Sequence, residues 1–224
     1  MEWNEKESVY WCRKLIKPGM VVVDVGAHIG YYTRIFSGLV GEAGRVLAFE
    51  PHPENYPILE SNIKSSRYKN VNIYNMCISN KDAPGILYTS PGHSNHNLIY
   101  GYTESLGTNE VDCLRMDTFL NEHTEIKQID FVKIDVEGAE LLVLEGMSET
   151  ISSNPELIIL IEYNPKALRC YGIEPFELVS KLDRLGFDVK MILPGAKLSP
   201  VIAETSETVN LLCLKNSYNI HLRG

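Results

Sequence analysis

The chain has 224 residues, a length that fits one α/β domain better than two. Its formal net charge is −8 and 44% of its residues are hydrophobic, which allows a sizeable core but disfavours DNA or RNA as a partner, because phosphate binding needs Lys and Arg. The five cysteines form no CxxC pair, and no stretch approaches about 18 uninterrupted apolar residues. We therefore expect reduced thiols, no membrane span and a cytoplasmic location.

Strands and helices alternate along most of the chain. The predicted elements are a helix at 8–17, a strand at 20–25, a helix at 28–39, a strand at 45–49, a helix at 53–64, strands at 71–78 and 131–135, a helix at 138–147, a strand at 157–161, a helix at 175–185 and strands at 187–193 and 209–214. This alternation predicts a single doubly wound α/β domain over residues 1–224, with a mainly parallel seven-stranded sheet. The last two strands lack an intervening helix and should form an antiparallel hairpin at the sheet edge.

Residues 79–127 interrupt this alternation. They contain two short strand-like pieces, 86–89 and 110–114, around a polar segment, and a helix pattern near 117–122 follows. A connection this long inside a compact domain usually has its own structure or a function. We predict that it is a small insertion on the substrate side of the domain.

The stretch VVVDVGAHIG, residues 21–30, is typical of a buried strand that enters a glycine turn and a helix. A dinucleotide site places its second glycine where the backbone approaches the pyrophosphate, and here His28 occupies that place. Asp24 also puts a negative charge at the strand end. S-adenosylmethionine has no phosphate, and its cationic groups and carboxylate suit an aspartate and a helix N-terminus. The motif therefore favours this methyl donor over NAD.

Glu50 closes the second predicted strand, roughly 20 residues beyond the glycine turn, where doubly wound folds place an acidic residue that binds ribose hydroxyls. The glycine spacing alone would indicate only a tight strand-to-helix connection. Together with Asp24 and Glu50 at consecutive strand ends, it favours an adenosine-containing ligand.

The segment IDFVKIDVEGAELLVLEGM, residues 129–147, places Asp135 at the carboxyl end of a central strand. Ligands bind beside such strand ends in open α/β sheets. Glu137 and Glu140 fall in the first turn of the next helix, where acidic residues complement the helix dipole, and that role is sufficient for Glu140. Lys133 lies in an apolar strand and should pair with a carboxylate, because an unpaired buried charge is costly. Asp135 and Glu137 are candidate catalytic residues.

Glu162 ends the fifth strand and should lie beside Asp135. Its role stays open between a general base, a ligand for Mg²⁺ and a cap of the following loop. His93 and His96 occupy the polar loop of the insertion, predicted to lie over the cleft. His96 is a further candidate base, and the alternative for both histidines is simple exposure to solvent.

The chain resembles the FkbM family of S-adenosylmethionine-dependent methyltransferases. The matching segments, in order, are KPGMVVVDVGAHIGYYT, RVLAFEPHPENYPILESNI, VDCLRMDTFL, IDFVKIDVEGAELLVLEGM and LIILIEYN. They cover most of residues 17–164, and KIDVEGAE is the most family-specific part. The resemblance implies a class I methyltransferase fold and transfer to oxygen, typically a hydroxyl of a small molecule, sugar, glycolipid, polysaccharide or polyketide.

The resemblance also implies which residues contact the cofactor. By position, the methionine portion would be held by Asp24, Gly26, Gly30 and Thr33, the ribose by Glu50, and the adenine would lie near Cys77 and Ile78. Ala27, His28 and Pro51 complete the predicted cofactor-binding set.

Two other functions are alternatives to methyl transfer. An NAD-dependent dehydrogenase or epimerase is opposed by His28. A non-catalytic module that only binds a cofactor would be favoured by loss of Asp24 or Glu50, and both are present. The identity of the acceptor depends on the shape of a pocket that the insertion helps to build.

Overall fold

The computed structural model describes residues 3–64, 69–89, 107–202, 205 and 207–215. The helices are α1 (Trp3–Leu15), α2 (Tyr31–Val40), α3 (Asn55–Lys64), α4 (Met116–Glu122), α5 (Glu140–Gly146), α6 (Ser148–Ser153), α7 (Pro165–Cys170) and α8 (Pro175–Arg184). The strands are β1 (Val21–Val25), β2 (Arg45–Phe49), β3 (Val71–Tyr74), β4 (Cys77–Ile78), β5 (Gly85–Thr89), β6 (Gly107–Val111), β7 (Cys113–Leu114), β8 (Phe131–Ile134), β9 (Ile158–Tyr163), β10 (Phe187–Leu193), β11 (Lys197–Pro200) and β12 (Val209–Lys215). Among these helices, none is long and apolar enough to cross a membrane.

The main sheet of the described residues has eight strands in the order β11-β10-β12-β9-β8-β1-β2-β3. The five strands from β9 to β3 run parallel, whereas β12, β10 and β11 are each antiparallel to their neighbours. The predicted α/β fold, with a mainly parallel sheet and an antiparallel hairpin at one edge, is confirmed. The eighth strand, β11, extends that edge beyond the predicted hairpin and is short and polar.

The apolar strands are buried on both faces of the sheet, which explains why they read as continuous apolar runs. Successive side chains of one strand enter opposite layers: Val23 and Leu47 pack in one hydrophobic cluster, and Val22 and Val46 pack in the other. The first cluster includes residues of α4, α5 and α8, and the second includes residues of α1 and α2. Strands β1 and β8 lie at the centre, with their carboxyl ends beside each other.

Several predicted boundaries shift for identifiable backbone reasons. The predicted helix 28–39 begins only at Tyr31, because His28 and Gly30 have positive φ angles of 51° and 88°. The predicted helix 138–147 begins at Glu140, because Gly138 has a φ of 105°. The N-terminal helix spans residues 3–15 rather than 8–17.

The predicted strand 71–78 divides into two strands of different sheets. β3 ends at Tyr74 in the main sheet, and β4 pairs in parallel with β7. β5 and β6 form a separate antiparallel pair, so the insertion contains two small sheets and α4 in its described residues. Asp117 of α4 accepts hydrogen bonds from the Thr150 N–H at 2.8 Å and the Thr150 hydroxyl at 2.7 Å, which fastens the insertion to α6.

Candidate active site

The glycine turn between β1 and α2 has a backbone conformation that side chains rarely adopt. Gly26, His28 and Gly30 have φ angles of 79°, 51° and 88°. A Cβ atom on Gly26 would overlap the carbonyl oxygen of Asp135, and one on Gly30 would lie 2.8 Å from Leu59 Cδ1. Both glycines are therefore required by φ, and Gly26 is also required by its close approach to the backbone of Asp135. The turn is packed directly against the loop that follows β8.

Glu50 braces this turn from the end of β2. Its two carboxylate oxygens accept the His28 N–H at 2.7 Å and the His52 N–H at 2.9 Å. The Ala27 N–H donates to the Phe49 carbonyl oxygen at 2.9 Å. Burial raises the pKa of Glu50 to about 7, although the two N–H donors act in the opposite direction. Glu50 thus holds the turn in shape and still has lone pairs that can accept further hydrogen bonds.

Asp24 lies near the end of β1 and is fully buried. Its Oδ2 accepts the Thr33 hydroxyl at 2.6 Å, while Oδ1 has no hydrogen-bond partner among the described residues. Burial raises the pKa of Asp24, and the charge of Lys133 opposes that rise. One oxygen of this buried carboxylate therefore lacks a partner, and native structures rarely leave such an atom unsatisfied without a reason.

Lys133 is the buried cation between the strand ends. It lies opposite Asp24 in the β1–β8 register. Its Nζ donates to Asp135 Oδ2 at 2.7 Å and lies 4.5 Å from the centre of the Tyr32 ring. Burial alone would lower the pKa of Lys133, but the carboxylates of Asp135 and Asp24 outweigh it and raise the pKa. Lys133 therefore stays charged, pairing with a carboxylate as its place in an apolar strand predicts.

Three carboxylates meet beside this ammonium group. Asp135, Glu137 and Glu162 each offer an oxygen, and these three oxygens all lie within 4.8 Å of one another. Glu137 joins the group from a loop residue with a positive φ of 54°. Glu162 Oε2 is buried with no hydrogen-bond partner in the described part of the chain. Burial and the neighbouring acidic groups raise the pKa of Glu162 well above its ordinary value. Such a group can bind a hard cation or hold a proton.

Glu140 has a structural task in the same loop. It is fully buried, and its Oε1 accepts the Gly138 N–H at 3.0 Å and the Val136 N–H at 3.3 Å. Burial raises the pKa of Glu140 to about 7. Its position at the start of α5 agrees with the predicted helix-dipole role, and its hydrogen bonds also shape the loop that presents Glu137.

The remaining predicted site residues lie outside the cluster of three carboxylates. Pro51 directly follows Glu50 and is half-buried. Cys77 and Ile78 form β4, directly before the insertion, and are buried. His96 lies outside the described residues, so its predicted role stays a prediction. The sequence patterns do not identify Tyr32, which packs against Lys133, as a site residue. An aromatic residue on an amphipathic helix is expected to be part of the hydrophobic core.

The chain matches the family model described as Methyltransferase FkbM domain over residues 24–189. It is 26% identical to Methyltransferase 1 of Beauveria bassiana over 57% of this chain, and the match spans only 58% of that relative. It is 26% identical to 2-O-methyltransferase NoeI of Sinorhizobium fredii, over 82% of this chain and 83% of that one. It is 28% identical to hexuronic acid methyltransferase AglP of Haloferax volcanii, over 91% of this chain and 69% of that one.

Solved structures share the same fold at low sequence identity. An rRNA methylase from Streptococcus thermophilus superposes with a TM-score of 0.53 and 15% identity, over 96% of this chain and 98% of that one. At this identity the likeness concerns the fold alone. The family match includes both the glycine turn and the segment that supplies Asp135 and Glu137. The chain therefore belongs to the FkbM methyltransferase domain family, as the sequence motifs predict.

Proposed function

We propose that this chain is an S-adenosylmethionine-dependent O-methyltransferase that acts on a hydroxyl of a small-molecule or glycan acceptor. The observation that carries the proposal is the arrangement of polar groups at four adjacent strand ends. Asp24, the turn 26–30 and Glu50 form what we call the cofactor side of the site. Asp135, Glu137 and Glu162 form the acidic side, and Lys133 lies between the two sides.

The residues of the cofactor side fit S-adenosylmethionine. The unpaired Oδ1 of Asp24 suits the ammonium group of the methionine portion, and Thr33 holds the other oxygen of that carboxylate in place. Glu50 is an acceptor for ribose hydroxyls, since a carboxylate has about four acceptor sites and its backbone hydrogen bonds from His28 and His52 use two of them. The glycines let the backbone come close to a ligand. When bound, this cofactor supplies an electrophilic methyl group on a sulfonium cation.

The acidic side supplies what an alcohol acceptor needs. The hydroxyl must lose a proton as it attacks, and a positioned base typically contributes about 10²–10⁴-fold to the rate. We assign the activation of the acceptor hydroxyl to Asp135, Glu137 and Glu162, with Mg²⁺ as the hard cation that their oxygens would hold. When bound, such an ion lowers the pKa of the acceptor hydroxyl. If no ion binds, one of the three carboxylates is the base.

Alignment of the acceptor is the second contribution of these residues. Methyl transfer is an in-line displacement, and correct orientation of the two reactants can contribute roughly 7–11 kcal/mol. Lys133 fixes the Asp135 carboxylate at 2.7 Å, and Glu140 fixes the loop that carries Glu137. The acidic side is therefore held by two different buried groups. This rigidity supports a role in positioning the acceptor.

The proposed acceptor class rests on the family and on the names of two relatives. One is named a 2-O-methyltransferase and the other a hexuronic acid methyltransferase. These names support oxygen as the methylated atom and a sugar acid as one acceptor to test. We therefore place hydroxylated sugars, including uronic acids, first in an acceptor screen.

The cofactor is tested by thermal unfolding with S-adenosylmethionine, S-adenosylhomocysteine and NAD in parallel. A ligand at about 100 times its dissociation constant adds about 2.7 kcal/mol of stability, and for a chain of this size each kcal/mol raises Tm by roughly 2–4 °C. We expect a shift with both sulfur compounds and none with NAD. A shift with NAD alone would overturn the proposal.

Variants make the cofactor test specific to Glu50. Glu50→Ala should weaken the affinity for S-adenosylhomocysteine by about 1.5–3 kcal/mol in calorimetry, the range for hydrogen bonds to a charged group. Glu42→Ala removes an exposed acidic residue before β2 and is the matched control. Equal affinity of the two variants would refute the ribose assignment.

The reaction itself is tested with labelled S-adenosylmethionine and a panel of hydroxylated sugars and small alcohols. Once an acceptor is found, Asp135→Asn should lower kcat much more than it lowers stability. Removal of divalent ions with a chelator should stop turnover, and Mg²⁺ should restore it. Full activity after chelation would exclude the metal and leave a carboxylate as the base.

A further inference from the structure

Two cysteines lie directly opposite each other on neighbouring strands, one just before the insertion and one within it. Cys77 of β4 and Cys113 of β7 are partners in the parallel register of their small sheet. Residues that are paired in this way project from the same face, and neighbouring strands lie about 4.8 Å apart. The Cα atoms of disulfide-bonded cysteines are usually about 4.4–6.8 Å apart. The backbone therefore already has a spacing that a disulfide requires.

The thiol groups also interact with each other. Interaction with Cys113, together with burial, raises the pKa of Cys77, and interaction with Cys77 lowers the pKa of Cys113. Each thiol also donates to a nearby backbone carbonyl oxygen, that of Ile78 at 3.6 Å and that of Val111 at 3.8 Å. Both thiols are free, and the only other members of their hydrophobic cluster in the described residues are Leu87 and Val111. The pair therefore lies in a small cluster of its own, apart from the two large cores.

The other three cysteines lie on separate elements. Cys12 is buried in α1, Cys213 is buried in β12, and Cys170 is exposed on α7. None of these elements pairs with another cysteine-bearing strand in the described sheets. The register thus singles out one pair from the five cysteines of the chain.

A hydrogen bond from a residue near Cys77 links the pair to the cofactor side. Asn75, two residues before Cys77, donates its side-chain N–H to the Glu50 carbonyl oxygen at 2.9 Å. The Cys77 N–H donates to the Asp112 carbonyl oxygen at 2.8 Å, which joins β4 to the segment just before Cys113. A change in the spacing of β4 and β7 would therefore reach the backbone of Glu50 through a short connection.

We propose that Cys77 and Cys113 are a redox-active thiol pair whose oxidation to a disulfide changes the affinity of the cofactor side for its ligand. The oxidant is a peroxide such as H₂O₂. One thiolate attacks a peroxide oxygen, giving a sulfenic acid and water, and the second thiol then displaces the sulfenic oxygen as a second water while the S–S bond forms. Two thiols lose two electrons and two protons, and the peroxide is reduced. The effect on affinity rests on the proposed function, but formation of the disulfide does not.

The disulfide is tested in a Cys170→Ser background, which removes the exposed thiol and prevents links between molecules. The folded protein is treated with H₂O₂, the remaining thiols are blocked, and peptides are mapped without reduction. We expect one cross-linked peptide that contains Cys77 and Cys113 and its loss in Cys77→Ser and Cys113→Ser, whereas Cys213→Ala keeps it. Protein unfolded in urea and oxidised by the same treatment shows whether the cross-linked peptide can be detected. If the unfolded protein gives this peptide and the folded protein does not, the proposed pair is refuted.

The consequence is tested by calorimetry with S-adenosylhomocysteine on reduced, oxidised and re-reduced protein. We expect a several-fold difference in Kd between the reduced and oxidised forms that dithiothreitol reverses and that Cys113→Ser abolishes. Equal Kd values in an oxidised protein with the mapped disulfide would refute the regulatory effect. Absence of binding even to the reduced protein would refute the proposed cofactor, whereas the peptide map would still decide whether the thiol pair exists.

Discussion

The cofactor side and the acidic side occupy adjacent strand ends of one sheet, but they satisfy their polar groups differently. On the cofactor side, Glu50 accepts two backbone N–H groups and Asp24 accepts a hydroxyl. On the acidic side, three carboxylate oxygens lie within 4.8 Å of one another beside a single buried ammonium group. In the first arrangement, only Asp24 Oδ1 lacks a hydrogen-bond partner among the carboxylate oxygens of the two residues in the described part of the chain. The second leaves like charges close together and is completed only by a cation or a proton.

This difference indicates two kinds of preorganisation. The chain's own backbone fixes the cofactor side, so its shape depends on glycines and close packing. The acidic side depends on the balance of charge around Lys133. Substitutions on the first should act through packing and conformation, and substitutions on the second through electrostatics. The predictions below test that distinction.

The largest effect is expected from Gly26→Ala, at the point where the two sides touch. The new Cβ would overlap the carbonyl oxygen of Asp135, and the residue would also need a φ of 79°. We expect a loss of roughly 5 kcal/mol or more in the free energy of unfolding by urea, or failure to fold. Gly186→Ala is the control, since its φ is 83° and nothing lies within 4 Å of its Cβ position. It should cost only about 1–2 kcal/mol, and equal losses would show that the contact with Asp135 is unimportant.

Much of this arrangement could be predicted from the sequence, because local patterns determine it. Apolar runs that end in Asp24, Glu50, Asp135 and Glu162 predict parallel strands whose carboxyl ends meet. The helix α7 was missed although it has a local signal, since the Asn164 side chain accepts the Ala167 N–H at 3.1 Å and a proline follows. An asparagine before a proline at the start of a helix is a recognised capping pattern.

Other features depend on contacts between distant residues and have no local signal. The break between β3 and β4 follows from pairing of β4 with β7, which lies more than thirty residues later. The position of Glu137 depends on its φ of 54°, which the helical pattern of residues 138–147 does not reveal. The packing of Tyr32 on Lys133 joins a helix and a strand that are separated by about a hundred residues. Sequence patterns report periodicity, and these features are not periodic.

Lys133→Met should have the next largest effect. Removal of one partner from a buried ion pair typically costs about 3–5 kcal/mol, because the other charge is left without compensation. Here both Asp135 and Asp24 lose the ammonium group that opposes their charge. The double variant Lys133→Met, Asp135→Asn should recover about 1–2 kcal/mol of this loss in urea unfolding. Strictly additive losses would mean that the two side chains are not coupled.

A pH effect of intermediate size is expected from Glu50 on the cofactor side. Its pKa is about 7 in the folded chain, raised mainly by burial from an ordinary value of 4.5. The folded state therefore keeps the proton over a range in which the unfolded chain has lost it. Relative to Glu50→Gln, the wild type should lose up to about 3 kcal/mol of stability as pH rises from 4.5 through 7. Urea unfolding at pH 5 and pH 8 measures this difference, and a constant difference would contradict the buried position of the carboxylate.

The smallest effect should have the opposite sign. Glu162→Gln removes one of the three crowded carboxylates while it preserves the shape of a half-buried side chain. We expect the free energy of unfolding to rise by about 1 kcal/mol, whereas Glu156→Gln, at an exposed position, should leave it unchanged. Added Mg²⁺ should raise the Tm of the wild type and have little effect on Glu162→Gln. The variant would then be more stable and less active than the wild type. This result would distinguish two roles of Glu162, because removal of a carboxylate needed for folding would destabilise the chain, and removal of one needed for an ion or a reaction would not.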